Sequence, residues 1–321
     1  MDDSFTFKQP GLIRRLSDKF KYRKCIKRKL LAPEPSQEVF SCVATLREKG
    51  TLLLDKYIND QLLAQLQEDF QSSLEDLDFE MPCLSQSKID PERHQDLIKR
   101  NMLAHAKELE EIGVAFNADE AHSFDQVVAE FEPSTLTVGM LEYSESYARV
   151  WFDEFLLAIV TEYMGLVPHM AEAYVRRNYP AKYRVMNHYW HRDLNNKRYL
   201  LKMFVFLTDC TLLNGPHEFL RGTHNDYSKL NGERYYTDES VDAFFPPDSH
   251  DRFISEVKAG TVVIEDTRGL HRASVPREGF RDLGYAVFMP QRGEQPTRYR
   301  IHQNVVKGLS SFQKAFLTGM N

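Results

Sequence analysis

The spacing of apolar residues in the first half of the chain predicts helices interrupted by one short strand. Leu62, Leu63, Leu66 and Phe70 recur at intervals that place their side chains on one helical face. In chain order, the predicted elements are a helix over 37–49, an apolar strand over 51–54, an amphipathic helix over 59–77 and helices over 97–112 and 147–164. The segment from 36 to about 170 is therefore predicted to be mainly helical.

The second half of the chain has a different pattern, in which short apolar runs are separated by turn residues. Several such runs in succession favour an antiparallel barrel or a double-sheet jelly roll. The predicted strands cover 174–178, 184–188, 200–208, 253–257, 261–265 and 283–289. We predict a single domain over 36–321, mainly β with α, whose jelly-roll core spans about 171–300 and carries the N-terminal helices outside.

Composition limits the class of protein without identifying it. The 321 residues, 42% hydrophobic and 27% charged, can bury a sizeable core. The sequence has no apolar run of about 18 residues and no apolar signal-peptide core, so it predicts a cytoplasmic location. Cys25, Cys42, Cys83 and Cys210 are scattered without a C-x-x-C pair, which favours reduced thiols over a zinc ribbon or a disulfide framework.

The net charge of −6 conceals a strongly basic N-terminal arm over residues 1–35. Residues 8–30 hold ten Lys or Arg against one Asp, and Leu12, Leu16 and Phe20 recur every four residues. This pattern fits a basic amphipathic helix, which can lie on an anionic membrane surface. A solvated or self-docked basic arm is the alternative. Nucleic acid is a poor fit as a partner, because the rest of the chain is acidic and would repel phosphate.

Three His-x-Asp pairs occur in the chain, and one of them precedes a strand-like apolar run. The pairs are His94 with Asp96, His191 with Asp193, and His224 with Asp226. The first lies in a polar stretch typical of a surface helix, and the last lies in a polar turn. His191 and Asp193 instead come just before the apolar run 199–208. Because side chains two apart on an extended chain point to the same side, this segment can present an imidazole and a carboxylate to one metal ion.

A third candidate ligand, His271, lies eighty residues after His191 and follows the predicted strand and turn G-T-V-V-I-E-D-T-R-G-L. Two His and one carboxylate leave one face of a metal open, which suits non-haem Fe(II) and also zinc. Arg281, ten positions further at the start of the next strand, has a neighbour-strand position from which it could reach a carboxylate near the metal. Its guanidinium would offer a bidentate fork to the distal carboxylate of a five-carbon 2-oxo diacid. Arg277 and Arg272 are the alternatives for this role.

Together these motifs resemble the phytanoyl-CoA dioxygenase-like (PhyH) family of Fe(II)- and 2-oxoglutarate-dependent oxygenases. The matching segments are W-H-R-D (190–193), L-L-K-M-F-V-F-L-T-D (200–209), N-G-P-H-E-F-L-R-G-T-H (214–224), G-T-V-V-I-E-D-T-R-G-L-H-R (260–272) and the following Arg281. The resemblance implies a double-stranded β-helix (jelly-roll, cupin-like) core. It also implies Fe(II) held by His191, Asp193 and His271, and 2-oxoglutarate bound by Arg281.

Two departures from the family pattern concern the cosubstrate. The family's arginine usually lies slightly further from the distal histidine, and a Ser often found two residues after that histidine is Ala273 here. Asp193 bears on the reaction, because related halogenases resemble this pattern with a small residue at its place. A carboxylate there favours hydroxylation or desaturation.

Lys202 and Asn187 are further candidates for binding the cosubstrate. Lys202 shares a strand face with Phe204 and Phe206, and a lysine among core residues needs an anionic partner in the cosubstrate, the substrate or an internal salt bridge. Asn187, four residues before His191, could hydrogen-bond the 2-oxo acid. The other residues near the motifs are predicted to be core for Trp190, and satisfied or surface histidines for His188, His217 and His224.

The sequence therefore predicts an Fe(II)- and 2-oxoglutarate-dependent oxygenase that hydroxylates an aliphatic carbon and releases succinate and carbon dioxide. The basic arm favours an anionic or lipid-linked small substrate that is met at a membrane surface. Two alternatives remain open: a non-catalytic or regulatory jelly-roll binding protein, and a zinc hydrolase with the same ligands. The intact ligand set speaks against the first, and the lack of an identifiable general base speaks against the second.

Overall fold

The computed structural model describes residues 20–75, 128, 135–180, 184, 186–193, 200–290 and 299–317. Its helices are α1 (Arg23–Arg28), α2 (Gln37–Lys49), α3 (Asp60–Glu75), α4 (Glu145–Trp151), α5 (Glu154–Met164), α6 (Asp238–Asp242), α7 (Gln303–Gly308) and α8 (Ser311–Lys314). Its strands are β1 (Thr51–Leu54), β2 (Thr135–Val138), β3 (His169–Asn178), β4 (Trp190–His191), β5 (Leu201–Phe206), β6 (His217–Leu220), β7 (Tyr235–Tyr236), β8 (Arg252–Ile254), β9 (Val262–Glu265), β10 (His271–Ala273) and β11 (Arg281–Met289). The helix predicted over 97–112, the His94–Asp96 pair and Cys83 lie outside the described residues.

The strands form two antiparallel sheets that pack against each other. The larger sheet has the order β1-β9-β5-β11-β3-β2, and the smaller has the order β7-β4-β10-β6-β8. Phe204 and Leu283 of the larger sheet join Phe219 and Phe253 of the smaller sheet in one buried cluster. The inner faces of both sheets therefore share an interior, and the predicted jelly roll with helices outside is confirmed.

Helix α2 shows how the helical layer positions an edge of the larger sheet. The helix begins after Ser36, whose hydroxyl accepts a hydrogen bond from Val39 N, and it ends at Gly50 with φ of 79°. This left-handed glycine turns the chain directly into β1, which pairs with β9. Across the larger sheet, α4 and α5 bury their apolar faces against the outward-facing side chains. None of the described helices is long and apolar enough to cross a membrane.

Two predicted elements differ from the structure for local reasons. The single helix predicted over 147–164 is two helices, because Asp153 leaves the helical conformation and accepts a hydrogen bond from Leu156 N as the N-cap of α5. Residues 184–188, predicted as a strand, contain instead the 3₁₀ turn Met186–His188. An apolar residue spacing does not reveal either interruption, since both are made by polar side chains and backbone turns.

Gly284 of β11 provides a test of the packing between this sheet and the helices. A Cβ atom at this position would lie 2.7 Å from Cη2 and 3.0 Å from Cζ2 of Trp151, whose indole is fully buried. We expect Gly284→Ala to lower the free energy of unfolding by about 1–3 kcal/mol, measured by chemical denaturation, because a rigid side chain must move. Gly139→Ala, with nothing within 4 Å of its new Cβ, is the control and should change stability little. Equal stability of both variants would contradict the packing.

Candidate metal centre and cosubstrate site

His191, Asp193 and His271 come together because β4 and β10 are neighbouring strands. His191 pairs directly with His271 in the antiparallel ladder, and the two imidazole centroids are 4.3 Å apart. Asp193 follows β4, and its backbone N–H donates to Thr267 O at 2.8 Å. One ligand atom from each of the three residues lies within 4.8 Å of the others. The three predicted ligands therefore converge with a spacing that suits one metal ion.

Hydrogen bonds to the backbone orient both imidazoles toward the carboxylate. His191 Nδ1 lies 2.8 Å from Tyr189 O, and His271 Nδ1 lies 3.0 Å from Gly269 O. With the proton on Nδ1, each ring turns Nε2 toward Asp193, at 3.8 Å for His191 and 3.5 Å for His271. Outer hydrogen bonds of this kind fix the tautomer of metal-binding histidines.

The charge states of these side chains also suit metal binding. Burial, followed by the neighbouring His271, lowers the pKa of His191 to about 3, so its imidazole is neutral. Burial acts to raise the pKa of Asp193, yet Lys202 and the two histidines hold it well below its usual range. Neutral imidazole and ionised carboxylate are the forms that coordinate a metal. Two imidazoles and one carboxylate form the donor set that suits non-haem Fe(II) with open positions.

Arg281, the first residue of β11, is a buried cation with no acidic partner among the described residues. It is 3% exposed, and its Nη2 donates a hydrogen bond to Asn178 Oδ1 at 3.4 Å. Nε and Nη1 are buried, and neither has a hydrogen-bond partner in the part of the chain that the structure describes. Burial lowers the pKa of Arg281, which reflects the cost of holding an unpaired guanidinium away from water. A carboxylate ligand would satisfy this group.

Arg281 does not lie on the predicted neighbouring strand. Its surroundings also distinguish it from the alternatives Arg272 and Arg277. Strand β11 lies between β5 and β3 of the larger sheet, whereas His271 lies in the smaller sheet. The turn after β10 thus carries the chain from one sheet to the other, and Arg281 is not on a neighbouring strand. Arg272 pairs with Glu218 at 2.9 Å and with Asp238. Arg277 is exposed, so Arg281 is the one of the three whose guanidinium is buried without an acid.

Lys202 and Asn187 have different surroundings. Lys202 is the ladder partner of Glu265, and its Nζ forms a close ion pair with Asp193 Oδ2. This pair brings the ammonium directly beside the predicted metal ligands. Asn187 lies in the 3₁₀ turn before β4, and its Oδ1 is buried without a hydrogen-bond partner among the described residues. Within those residues, Lys202 contacts the His-Asp-His group, whereas Asn187 Oδ1 has no hydrogen bond to it.

His217 and Glu265 are part of the same interior, although neither was predicted to belong to the site. The imidazole of His217 lies 5.4 Å from that of His271, measured between ring centroids. Glu265 Oε2 lies 3.0 Å from His217 Nδ1, and the glutamate is completely buried. The sequence places Glu265 at the end of an apolar strand, and it places His217 after a turn signal. Neither context indicates that two opposing sheets bring them together.

The remaining residues near the motifs are core residues. Trp190 is fully buried, as predicted. His224, predicted to be a satisfied or a surface histidine, is 1% exposed because its turn packs against the end of α2, where Nε2 lies 3.0 Å from Arg47 O. His188 is also buried, and burial followed by the charge of Arg281 lowers its pKa to about 3. Cys25, Cys42 and Cys210 are buried, and none of them forms a disulfide with another described residue.

A jelly roll that carries a His-Asp-His group fits the class of oxygenases that use non-haem iron and 2-oxoglutarate. The sequence model of the phytanoyl-CoA dioxygenase (PhyH) family matches residues 46–276. The chain belongs to the phytanoyl-CoA dioxygenase family. The predicted resemblance is therefore confirmed, together with the enzyme class, a 2-oxoglutarate-dependent dioxygenase, and its cofactors, iron and 2-oxoglutarate.

Solved structures of the same fold share little sequence identity with this chain. The non-haem α-ketoglutarate-dependent carbocyclase SnoK from nogalamycin biosynthesis is 16% identical, with 86% of this chain and 92% of that chain covered and a TM-score of 0.51. HygX from Streptomyces hygroscopicus, with nickel and 2-oxoglutarate bound, is 16% identical, with 84% and 91% covered and a TM-score of 0.49. EctD from S. alaskensis, with 2-oxoglutarate and 5-hydroxyectoine, is 19% identical, with 81% and 77% covered and a TM-score of 0.49. The likeness to SnoK supports the fold alone, and no curated protein matches the sequence.

Proposed function

We propose that this oxygenase hydroxylates an aliphatic carbon of a small organic substrate. The observation that carries the proposal is the pairing of an oriented His-Asp-His group with a buried guanidinium that has no acid beside it. The first suits Fe(II), and the second suits the distal carboxylate of 2-oxoglutarate. Asp193 keeps a carboxylate in the ligand set, which favours hydroxylation or desaturation over halogenation.

Each residue has a distinct task in this proposal. His191, Asp193 and His271 would hold Fe(II), and Arg281 would bind the distal carboxylate of 2-oxoglutarate. When bound, these groups supply oxygen activation, in which 2-oxoglutarate loses carbon dioxide, one oxygen atom enters succinate and the other enters a substrate C–H bond. The protein positions the target carbon and excludes water. The interior has the apolar walls for this, formed by Phe204, Val263, Leu283, Tyr285 and Val287.

Lys202 and Asn187 are assigned to anionic and polar groups of the same ligands. The Lys202 ammonium, already beside Asp193, is available to a carboxylate of the cosubstrate or of the substrate. Asn187 supplies a buried amide whose oxygen has no hydrogen-bond partner among the described residues. We assign Asn187 to the 2-oxo acid.

Anaerobic addition of Fe(II) and 2-oxoglutarate to the purified protein tests this function. We expect a charge-transfer absorption band from the chelate, followed after oxygen addition by succinate in an uncoupled assay. A hydrolase that uses zinc would give neither signal, and a binding protein would give the band without succinate. The absence of the band in the wild-type protein would refute the iron and 2-oxoglutarate assignment. Substrates are then screened by the increase in succinate that they cause.

We also propose that the N-terminal helix meets an anionic membrane surface, where an anionic or lipid-linked substrate would be found. Helix α1 docks on the body of the protein through Cys25, which is 4% exposed and whose carbonyl accepts from Val167 N at 3.1 Å. Apolar and basic side chains point outward around it. We define the basic apolar patch as Phe20, Lys24, Lys27, Leu30 and Leu31, all of which are exposed. Phe20 is 75% exposed and Leu30 is 89% exposed, which is a large apolar exposure among cations.

We expect the basic apolar patch to bind vesicles that contain anionic lipid. In liposome pelleting, Phe20→Ser with Leu30→Ser should reduce the bound fraction severalfold, because about 0.8 kcal/mol is lost for each buried CH₂ withdrawn from the bilayer. Phe40→Ser removes another exposed ring, 45% exposed on α2, and should leave binding unchanged. High salt should weaken the wild-type interaction. Equal pelleting with neutral and anionic vesicles, or of wild type and the double variant, would refute the proposed surface.

A further inference from the structure

His217 occupies the interior wall beside the metal centre, opposite a residue that cannot hydrogen-bond through its side chain. In the ladder between β6 and β10, His217 pairs with Ala273, and Phe219 pairs with His271. Residues two apart on a strand share a face, so His217 points into the same interior as His271. Its ring also lies 4.8 Å from that of Phe204, measured between centroids. The only hydrogen-bonding side chain of this facing pair therefore belongs to His217.

Glu265 is the partner that orients this imidazole. His217 Nδ1 and Glu265 Oε2 are both buried and lie 3.0 Å apart, within ion-pair distance, and neither has a hydrogen-bond partner among the described residues. The second carboxyl oxygen, Oε1, lies 3.4 Å from Thr51 Oγ1. Buried polar groups are costly unless they are paired, so Glu265 and Nδ1 depend on each other. This pairing leaves Nε2 as the nitrogen that can serve a ligand.

The position of the proton follows from burial. Burial raises the pKa of Glu265 to about 8, although the ammonium of Lys202 acts in the opposite direction. Burial therefore favours the protonated carboxyl group, whose O–H can donate to Nδ1. A neutral imidazole that accepts at Nδ1 carries its own proton on Nε2. His217 thus presents an N–H donor rather than a lone pair.

The surroundings of His217 contain both ends of the cosubstrate site. Its ring centroid lies 5.4 Å from that of His271 and 4.8 Å from that of Phe204. Arg281 shares a face of β11 with Leu283, which packs in the same buried cluster as Phe204. The imidazole therefore lies in the same interior as the metal-ligand group and the guanidinium assigned to the distal carboxylate. A molecule that extends from the metal-ligand group to the Arg281 guanidinium passes beside the His217 ring.

We propose that His217, oriented by Glu265, binds 2-oxoglutarate by donating a hydrogen bond from Nε2, a contact that Ala273 cannot make from the facing strand. This role rests on the proposed function, since it requires 2-oxoglutarate at the site. Glu265 is a positioning residue and touches the cosubstrate only through His217.

Anaerobic titration of the Fe(II)-loaded protein with 2-oxoglutarate, followed by the chelate absorption, measures this contact without turnover. His217→Phe keeps the ring and removes the donor. Its dissociation constant for 2-oxoglutarate should rise by about ten- to a hundredfold, the loss typical of a hydrogen bond to a charged group. His217→Leu combined with Ala273→Ser places a hydroxyl on the opposite strand and should recover part of the affinity. Fe(II) affinity in the absence of 2-oxoglutarate should stay at the wild-type value for each variant.

Substitutions of Glu265 distinguish positioning from general structural support. Glu265→Gln keeps a donor toward Nδ1 and should retain an affinity within about threefold of wild type, a difference of less than one hydrogen bond. Glu265→Leu loses the donor and should weaken 2-oxoglutarate binding as much as His217→Phe. The double variant His217→Leu with Glu265→Leu leaves no unpaired polar group, so it should fold and still bind weakly.

Controls separate this inference from the proposed function. His169→Phe removes a buried histidine that contacts Phe316 O at 3.0 Å in another part of the fold, and it should bind 2-oxoglutarate normally. Wild-type protein that forms no chelate would overturn the function itself, and the His217 role with it. A normal wild-type chelate with unchanged affinity in His217→Phe and in the double variant would overturn only the His217 role. A loss of affinity in Glu265→Gln equal to that in Glu265→Leu would overturn the orientation by a protonated carboxyl.

Discussion

The His191→Ala variant is expected to lose the Fe(II) and 2-oxoglutarate charge-transfer band and succinate formation together. The imidazole is one of only three protein ligands, and its Nε2 faces the Asp193 carboxylate at 3.8 Å. Changes to groups that merely support a ligand cost about ten- to a hundredfold in metal affinity or activity. Removal of the ligand itself should exceed that range. Titration with Fe(II) under anaerobic conditions, followed by the succinate assay, measures both effects.

The matched control for this variant is His169→Ala, which removes a buried imidazole away from the His-Asp-His group. It should reduce stability and leave both the band and succinate formation intact. Thermal unfolding of His191→Ala should remain cooperative, because the side chain lies on a two-residue strand and its backbone hydrogen bond is the local one to Tyr189 O. A band of wild-type intensity in His191→Ala would mean that other residues hold the iron.

The sequence itself predicts the two neighbouring ligands His191 and Asp193. It only implies that the distant His271 joins them. His191 and Asp193 could be predicted because two alternate residues before an apolar run describe one strand and its face. Their union with His271 depends on the pairing of β4 with β10, which are two and three residues long. Strands of this length carry no alternating pattern. Only the order of several motifs along the chain indicated that these segments meet.

The interior wall formed by His217 and Glu265 could not be predicted for a related reason. Glu265 closes an apolar run and is completely buried, yet its partner comes from the opposite sheet. A sequence pattern reports which face of its own strand a residue occupies, and it does not report what faces it across the interior. The burial of His224 has the same origin, since its partner Arg47 O belongs to helix α2.

Helix bounds followed the sequence closely where a cap residue is present. Helix α2 spans Gln37–Lys49 as predicted, between the Ser36 cap and Gly50. The predicted helix over 147–164 failed at Asp153, because an aspartate inside an apolar pattern can cap a new helix as well as face solvent. Such ambiguous residues decide where elements end, and their role depends on the packing of both segments.

Arg281→Leu is expected to weaken 2-oxoglutarate binding by more than about a hundredfold, since it removes a charge-assisted bidentate contact. Fe(II) binding should persist, because Arg281 is not among the three ligand residues. The unliganded protein should be as stable as wild type or more stable. A buried guanidinium without an acid is costly, and leucine removes that cost.

This combination distinguishes a ligand-binding arginine from a structural one. Anaerobic chelate titration gives the affinity, and thermal unfolding with and without 2-oxoglutarate gives the stabilisation that the cosubstrate confers. Arg281→Lys should retain part of the affinity through its charge, with loss of the bidentate geometry. Arg277→Leu changes an exposed arginine four residues away and should behave as wild type. Wild-type affinity for 2-oxoglutarate in Arg281→Leu would mean that another cation binds the cosubstrate carboxylate. A large loss of stability in the unliganded variant would show that the guanidinium has a structural partner. Removal of a buried charge destabilises a protein only where that charge was paired.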